Sequence, residues 1–175
     1  MKPQTNLNKI LIGLTALGCM SAIAAVPSAQ AQPAYGSYIG AGVSFGLTSG
    51  NTSMGENSAT SGLIAARYKF LEVPVSIRTQ ILIGNSTAVV PTVSFDLPLN
   101  FDTDLYLGAG VALSNTVNAT PVGNQNSFVL QPGIDYTVPN SNLVIFGNAI
   151  FAFNAYRYTP GATAISLQTG LGYRF

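Results

Sequence analysis

Apolar and polar residues alternate with a period of two along most of the chain after residue 31. In the run that starts at Ile39, apolar side chains take the odd positions, while Gly, Ser and Tyr take the even ones. The runs that begin at Val75, Leu105 and Ile165 show the same alternation. A strand places alternate residues on opposite faces, whereas a helix would mix the two sets. The pattern therefore predicts β-strands.

Four further runs bring the number of predicted strands to eight. They span residues 59–70, 87–97, 127–136 and 142–153. The first three alternate less cleanly, and the last is apolar on both faces apart from Asn148. Two sets of connections take turns along the chain. In one set three of the four connections are long and rich in Asn, Ser, Thr and Gly, and the fourth is only residues 85–86. In the other set all are short and carry Pro, Asn or Asp, as tight turns require. Pro91 and Pro132 interrupt two runs, and we expect each to mark a bulge or a strand shorter than the alternation implies.

The start of the chain has the three-part layout of a secretory signal peptide. Two lysines give a positive start, residues 10–26 are almost wholly apolar or small, and small residues flank a cleavage position before Gln32. An uncleaved membrane helix is the alternative, but the apolar run is short for one and ends in a proline. We therefore predict a cleaved signal peptide over residues 1–31 and one domain over residues 32–175.

The face opposite the apolar one is small and uncharged, which argues against an ordinary soluble sheet. Charged residues make up 7% of the chain, against roughly 25% in an average soluble domain. Most glycines after residue 31 lie on this face, and the narrow interior of an eight-stranded barrel has room only for modest side chains. The apolar face is nearly free of charge, as contact with hydrocarbon requires. Backbone groups in hydrocarbon must all be paired, so we expect the sheet to close on itself.

Composition narrows the chemistry further. The chain has no His and no Trp, and its one Cys is Cys19, within the predicted signal peptide. These counts exclude histidine-based catalysis, zinc sites built on several Cys or His, and an intramolecular disulfide. Seven Lys and Arg against six Asp and Glu give no strong field for nucleic acid. We therefore expect no enzyme activity, no cofactor, no metal and no nucleic-acid partner.

Charged side chains within the strands fall on the inward phase of the alternation, in the half of the barrel nearer the short connections that carry Pro, Asn or Asp, and Asp104 stands at the same rim. Confined charges of opposite sign are expected to pair, because an isolated buried charge is very costly. The outer half offers mainly amides, hydroxyls and small residues. We predict a charge network that fills the interior, and the alternative is a gate in which Arg78 or Arg174 exchanges carboxylate partners. The predicted members are Arg67, Lys69, Arg78, Asp96, Asp135 and Arg174.

The end of the chain carries one more pattern. Leu171, Tyr173 and Phe175 alternate with small or polar residues up to the terminal aromatic. This ending, the eight strands and the signal peptide resemble the small eight-stranded outer-membrane β-barrels of the OmpA/OmpX and opacity-protein kind. The resemblance covers residues 32–175 and implies an all-β, antiparallel, up-and-down transmembrane barrel. It also implies that Leu171, Tyr173 and Phe175 form the signal read by the barrel assembly machinery, to which periplasmic chaperones deliver the chain.

The resemblance further implies a monomer in the outer membrane, surrounded by lipid, whose three long loops contact other cells, matrix or envelope components. Within the same fold, the alternative function is a narrow porin-like channel for small solutes or ions. Outside it, the alternative is a secreted soluble β-sandwich used for binding, since such folds share the alternation.

Overall fold

The fold is a closed barrel of eight antiparallel strands. A computed structural model describes residues 36–114 and 116–175. Each strand pairs with the next along the chain and the first pairs with the last, so the sheet has no free edge. This confirms the predicted up-and-down barrel, while the predicted signal peptide over residues 1–31 lies outside the described residues. The strands are β1 (Tyr38–Gly46), β2 (Thr60–Lys69), β3 (Val75–Ile83), β4 (Thr87–Pro98), β5 (Thr103–Ala112), β6 (Ser127–Thr137), β7 (Leu143–Phe153) and β8 (Ala164–Arg174).

Alternate residues of each strand point to opposite sides of the barrel wall, as the period of two predicts. On β1, Tyr38 and Ser44 are buried inside, whereas Ile39, Val43 and Phe45 are exposed on the outer surface. The other strands add further exposed aliphatic and aromatic side chains, so the outer wall is an apolar band. Such a surface suits hydrocarbon rather than water. No helix among the described residues is long and apolar enough to cross a membrane.

Glycines allow β1 and β8 to approach closely where the barrel closes. A Cβ atom on Gly42 would lie 2.7 Å from the Cα of Gly170, so no larger residue fits without movement of the backbone. The same strands make room inside the barrel, since Phe146 of β7 packs against Gly40 and Gly170. The Phe146 ring also stacks on Tyr38, with ring centroids 5.7 Å apart. Small residues on β1 and β8 thus make room for a large side chain from the adjacent strand β7.

The two strand prolines leave the register unchanged, contrary to the expected bulge or shortened strand. Pro91 pairs with Thr79 of β3, and its strand continues to Pro98. Pro132 pairs with Leu107 of β5, and on its other side the pairs before and after it keep one register with β7. Each proline removes a donor from one ladder only. The intact ladder on its other side keeps the strand in register.

Candidate functional site

The barrel interior has two layers of different chemistry. Charged side chains cluster in the half nearer the short turns, which we call the turn half, whereas uncharged polar and apolar side chains share the half nearer the long loops, the loop half. In the turn half, Arg67 of β2 lies directly opposite Arg78 of β3. Like charges opposite each other are destabilising unless carboxylates lie between them. Asp96 of β4 and Asp135 of β6 supply those carboxylates.

Arg67 is the centre of this group. Its Nη2 lies 2.8 Å from Oδ2 of Asp96 and 2.9 Å from Oδ2 of Asp104, and its Nη1 lies 2.9 Å from Oδ2 of Asp135. Its Nε donates to Oγ of Ser76 at 3.1 Å. A guanidinium suits the position because its five donors, held in a plane, can bind several carboxylates at once. We call the whole group the lumen ion network, and its members are Arg67, Lys69, Arg78, Asp96, Asp104 and Asp135.

Arg78 links the network to the opposite wall. Its Nη2 lies 2.9 Å from Oδ2 of Asp135 and 3.3 Å from Oδ1 of Asp96. Its Nε donates to Oγ of Ser94 at 2.9 Å. The guanidinium carbon lies 3.3 Å from the centre of the Tyr106 ring, a cation–π contact that gains strength where both groups are removed from water. Arg78 is therefore held by charge, hydrogen bonding and an aromatic face together.

The network is electrically balanced, with three cations and three carboxylates. At its partly exposed edge, Nζ of Lys69 donates to Oδ2 of Asp104 at 2.8 Å. Its other four members are nearly free of solvent exposure. Removing any of those four would leave an uncompensated charge in a dry interior, which is strongly destabilising. The described residues contain no group of three or more His, Cys, Asp or Glu arranged to hold a metal ion.

The structure brings together five of the six residues predicted for the charge network. Arg174, the sixth, lies at the rim, where its Nη2 donates to the carbonyl of Ser141 at 3.4 Å. Asp104, predicted only to stand at the rim, joins the network because it lies opposite Asp135 on the neighbouring strand. Exchange of partners by Arg78 or Arg174 as a gate stays a prediction.

Two tyrosines that the sequence analysis left out also contact the network. The Tyr38 hydroxyl donates to Oδ1 of Asp135 at 3.1 Å, and Tyr106 lies against Arg78. Both occupy inward positions in the alternation, so the signal was present in the sequence. The signal is the tyrosine side chain itself, whose apolar ring and polar hydroxyl suit an interior that contains both charged and apolar groups.

The residues predicted as an assembly signal lie at the end of β8. Leu171 and Tyr173 point outward from the barrel wall, and Phe175 follows the strand with its side chain exposed. The Phe175 N–H donates to the carbonyl of Ser37 at 3.2 Å, which ties the chain end to the start of β1. Their role in assembly stays a prediction.

The loop half of the lumen holds the amides, hydroxyls and small residues that the sequence predicts, together with large aliphatic side chains that it does not predict. Amides are present, and Gln131 accepts from the hydroxyl of Thr92 at 2.7 Å and donates to Asn148 at 3.2 Å. Four large aliphatic side chains lie among these polar groups and are 0% exposed, and we call them the apolar layer: Leu82, Val90, Val129 and Ile150. Alternation predicts which face of a strand a residue occupies, but not whether the inner face meets water or other side chains. Apolar residues are stable on the inner face because they pack against one another across the narrow lumen.

Three long loops fold over the apolar layer and form what we call the loop cap. The first, second and third long loops are residues 47–59, 113–126 and 154–163. The hydroxyl of the buried Tyr156 donates to the carbonyl of Thr48 at 2.8 Å, which joins the third loop to the first. The N–H of Asn124 donates to the carbonyl of Ala155 at 2.9 Å, which joins the second loop to the third. The loops therefore form one packed unit.

Glu56 holds the first and third long loops together. It is the only carboxylate in the long loops, and it is 0% exposed. Its Oε2 accepts from the Asn51 N–H at 2.8 Å and the Thr159 hydroxyl at 3.0 Å, and its Oε1 accepts from the Tyr158 N–H at 2.8 Å. Burial raises the pKa of the Glu56 carboxyl, but these hydrogen bonds outweigh burial and hold the pKa below its usual value. The ionised form is the one that the loop cap binds.

Comparisons with known proteins bear on the fold. No protein-family model matches the chain, and no curated protein matches it. Among solved structures, a de novo designed transmembrane β-barrel matches with 12% identity and a TM-score of 0.53, over 83% of this chain and 98% of that one. Ail, the attachment invasion locus protein of Yersinia pestis, matches with 15% identity and a TM-score of 0.53, over 79% of this chain and 97% of that one. Neisserial surface protein A (NspA) matches with 16% identity and a TM-score of 0.53, over 80% of this chain and 97% of that one.

These similarities concern architecture, because the identities are too low to carry a shared activity. They cover nearly the whole length of each matched chain, so the barrel corresponds to a complete structure in every case. The closed ring of eight antiparallel strands and the apolar outer wall agree with them. The chain therefore has the fold of the small eight-stranded outer-membrane β-barrels.

Proposed function

We propose that this chain is an integral outer-membrane barrel that does not conduct and that presents its loop cap as an interaction surface. The observation that carries the proposal is the closure of the barrel at three successive levels. The lumen ion network occupies the turn half, the apolar layer together with buried amides and hydroxyls occupies the loop half, and the loop cap covers the end. A packed cap on a sealed barrel suits recognition, because a surface that is already ordered loses less entropy when it binds a partner.

The proposed orientation places the loop cap outside the cell and the short turns in the periplasm. Barrels of this type join their strands by short periplasmic turns and longer extracellular loops. Here residues 70–74, 99–102 and 138–142 form the short end, and the loop cap forms the other. Two structural neighbours have names that fit a surface role, since one is an attachment invasion protein and the other a surface protein.

A porin-like channel would need a continuous aqueous path through the lumen. The apolar layer places four fully buried aliphatic side chains in the loop half, and each charge of the lumen ion network already has an opposite partner. Conduction would therefore require both layers and the loop cap to move. The proposed role involves no chemistry on a substrate.

Planar-bilayer recording tests the closed lumen. Residues 32–175 would be refolded and inserted beside a conducting porin as the positive control. We expect no current steps from the wild-type barrel or from Arg78→Ala, because the apolar layer remains in place when the ion network is weakened. Regular current steps from the wild-type barrel would refute the proposal in favour of the channel.

Attachment measurements test the surface role. Bacteria without other adhesins would display either the wild-type chain or a variant in which residues 116–125 are replaced by a Gly-Ser linker of equal length. We expect the wild-type strain to attach better to epithelial cells or immobilised matrix proteins, because only its loop cap is intact. Equal attachment, with equal amounts of both proteins in the outer membrane, would count against the interaction role.

A further inference from the structure

A pocket of about 370 Å³ opens on the loop cap beside the shortest connection of the barrel. The β3–β4 connection is only residues 84–86, far shorter than the long loops around it. The gap that remains lies between this connection and the first and second long loops. Its volume falls within the range of about 300–1,000 Å³ that is usual for small-ligand sites. We call it the cap pocket.

The cap pocket is lined by uncharged side chains that form hydrogen bonds. The lining contains three asparagines and several hydroxyl residues, and none of the residues that line it is charged or aromatic. Amide and hydroxyl groups can each donate and accept. The residues that carry this chemistry are Asn57, Ser58, Ser61, Asn85, Ser86 and Asn118.

Ser61 marks the inner end of the cap pocket. It is an inward residue near the start of β2, only 5% exposed, and its Oγ has no hydrogen-bond partner among the described residues. A buried hydroxyl left in this state is unfavourable, and a ligand hydroxyl would relieve it. Two residues further along β2, Leu63 lies opposite Leu82 of the apolar layer, so the pocket ends above a closed lumen.

We propose that the cap pocket binds a neutral saccharide. Sugar hydroxyls act as both donors and acceptors, so they match a lining of amides and hydroxyls. A charged ligand would lose its hydration without finding an opposite charge, and an apolar ligand would leave the polar lining without partners. The inference rests on the proposed function, because the ligand is reachable only if the loop cap faces outside the cell.

A glycan array tests the ligand class. The refolded chain, held in an amine-oxide detergent that has no sugar headgroup, would be applied to neutral hexose and N-acetylhexosamine oligosaccharides and to sialylated and sulfated forms of the same glycans. We expect binding to neutral members and weaker binding once a charged group is added. An array without neutral hits, or one on which the charged forms bind better, would overturn the proposal.

Two leucine substitutions in the same loop test the location. Ser58 and Ser53 are both exposed in the first long loop, but only Ser58 lines the cap pocket. For the strongest neutral glycan on the array, titrated by saturation-transfer NMR, we expect Ser58→Leu and Asn85→Ala to weaken binding about ten-fold. Ser53→Leu is expected to leave binding unchanged. Equal affinities in all three variants, or equal losses in both leucine variants, would place the glycan elsewhere and refute the cap pocket.

The results separate this inference from the proposed function. An array without neutral hits, together with a silent bilayer and attachment that depends on the loops, would overturn the saccharide and leave the surface role standing. Current through the wild-type barrel would overturn the proposed function whatever the array shows.

Discussion

Arg67→Met removes the centre of the lumen ion network and keeps a long unbranched side chain. Three carboxylates would then share two remaining cations. Asp96 and Asp135 are 1% and 3% exposed, so water cannot replace the lost guanidinium at either of them. Asp104 keeps Lys69 as a partner and lies nearer solvent. The uncompensated charge therefore falls mainly on the two buried aspartates.

The size of the effect follows from this burial. Removing one partner of a buried ion pair costs about 3–5 kcal/mol of unfolding free energy. Because Arg67 contacts all three carboxylates within 2.9 Å, we expect Arg67→Met to lie at the upper end, about 4–5 kcal/mol. Adding Asp135→Asn restores charge balance, so the double variant should cost less than the sum of the single ones. The expected coupling energy is about 2–3 kcal/mol.

Urea unfolding of the barrel in lipid vesicles, followed by far-UV circular dichroism, measures these free energies. Arg174→Met serves as the control, since this partly exposed rim arginine is expected to contribute less than about 1 kcal/mol. A cost below about 1 kcal/mol for Arg67→Met, or strict additivity in the double variant, would refute the reasoning. Either result would mean that the turn half is solvated rather than dry.

Three further predictions concern the loop cap, the closure of the barrel and assembly. Because the pKa of Glu56 is lowered in the folded cap, the carboxylate stabilises the cap above the unfolded pKa, and this contribution is lost as pH falls through the folded value. Hydrogen exchange of the loop amides should therefore quicken toward acid pH in the wild type, whereas Glu56→Gln should exchange quickly at neutral pH with little pH dependence. Gly42→Ala should lower the yield of folded barrel and cost about 1–3 kcal/mol of unfolding free energy in urea, because its Cβ would meet backbone atoms of β8. Gly62→Ala should fold normally, since its Cβ would meet only a carbonyl oxygen at 3.4 Å. Deleting Phe175 should reduce the amount of protein in the outer membrane but not refolding in detergent, because its exposed side chain adds little to the folded state.

Each of the three predictions has a result that would contradict it. Loop exchange that does not change between neutral and acid pH in the wild type would contradict the assignment of Glu56. Equal folded yields for the two glycine variants would contradict the close approach of β1 and β8. Normal membrane levels of the truncated chain would contradict the assembly signal.

The alternation of residues was sufficient to predict the wall of this barrel. Lipid and lumen impose different chemistry on the two faces of a strand, and a period of two reports that difference locally. For this reason the sequence predicts the eight strands and their connections without long-range information. It also predicts that four charged side chains point inward: Arg67, Arg78, Asp96 and Asp135. Even where alternation was weak, as in β7, the strand was identified because its length and apolar character matched its neighbours.

What fills the barrel and what closes it depended on contacts between residues distant in the chain. The sequence does not predict the apolar layer. An inward Val or Leu indicates apolar packing in the lumen only when the opposite wall is known to supply another apolar residue. Glu56 appeared in the sequence as an isolated loop carboxylate, but its donors include residues more than a hundred positions away. The two prolines kept their register because a neighbouring strand held each of them. The sequence by itself determined which face of each strand points outward, since that choice is made residue by residue. The tertiary structure alone decided how the lumen is sealed and how the loops pack, since those depend on the simultaneous positions of all eight strands.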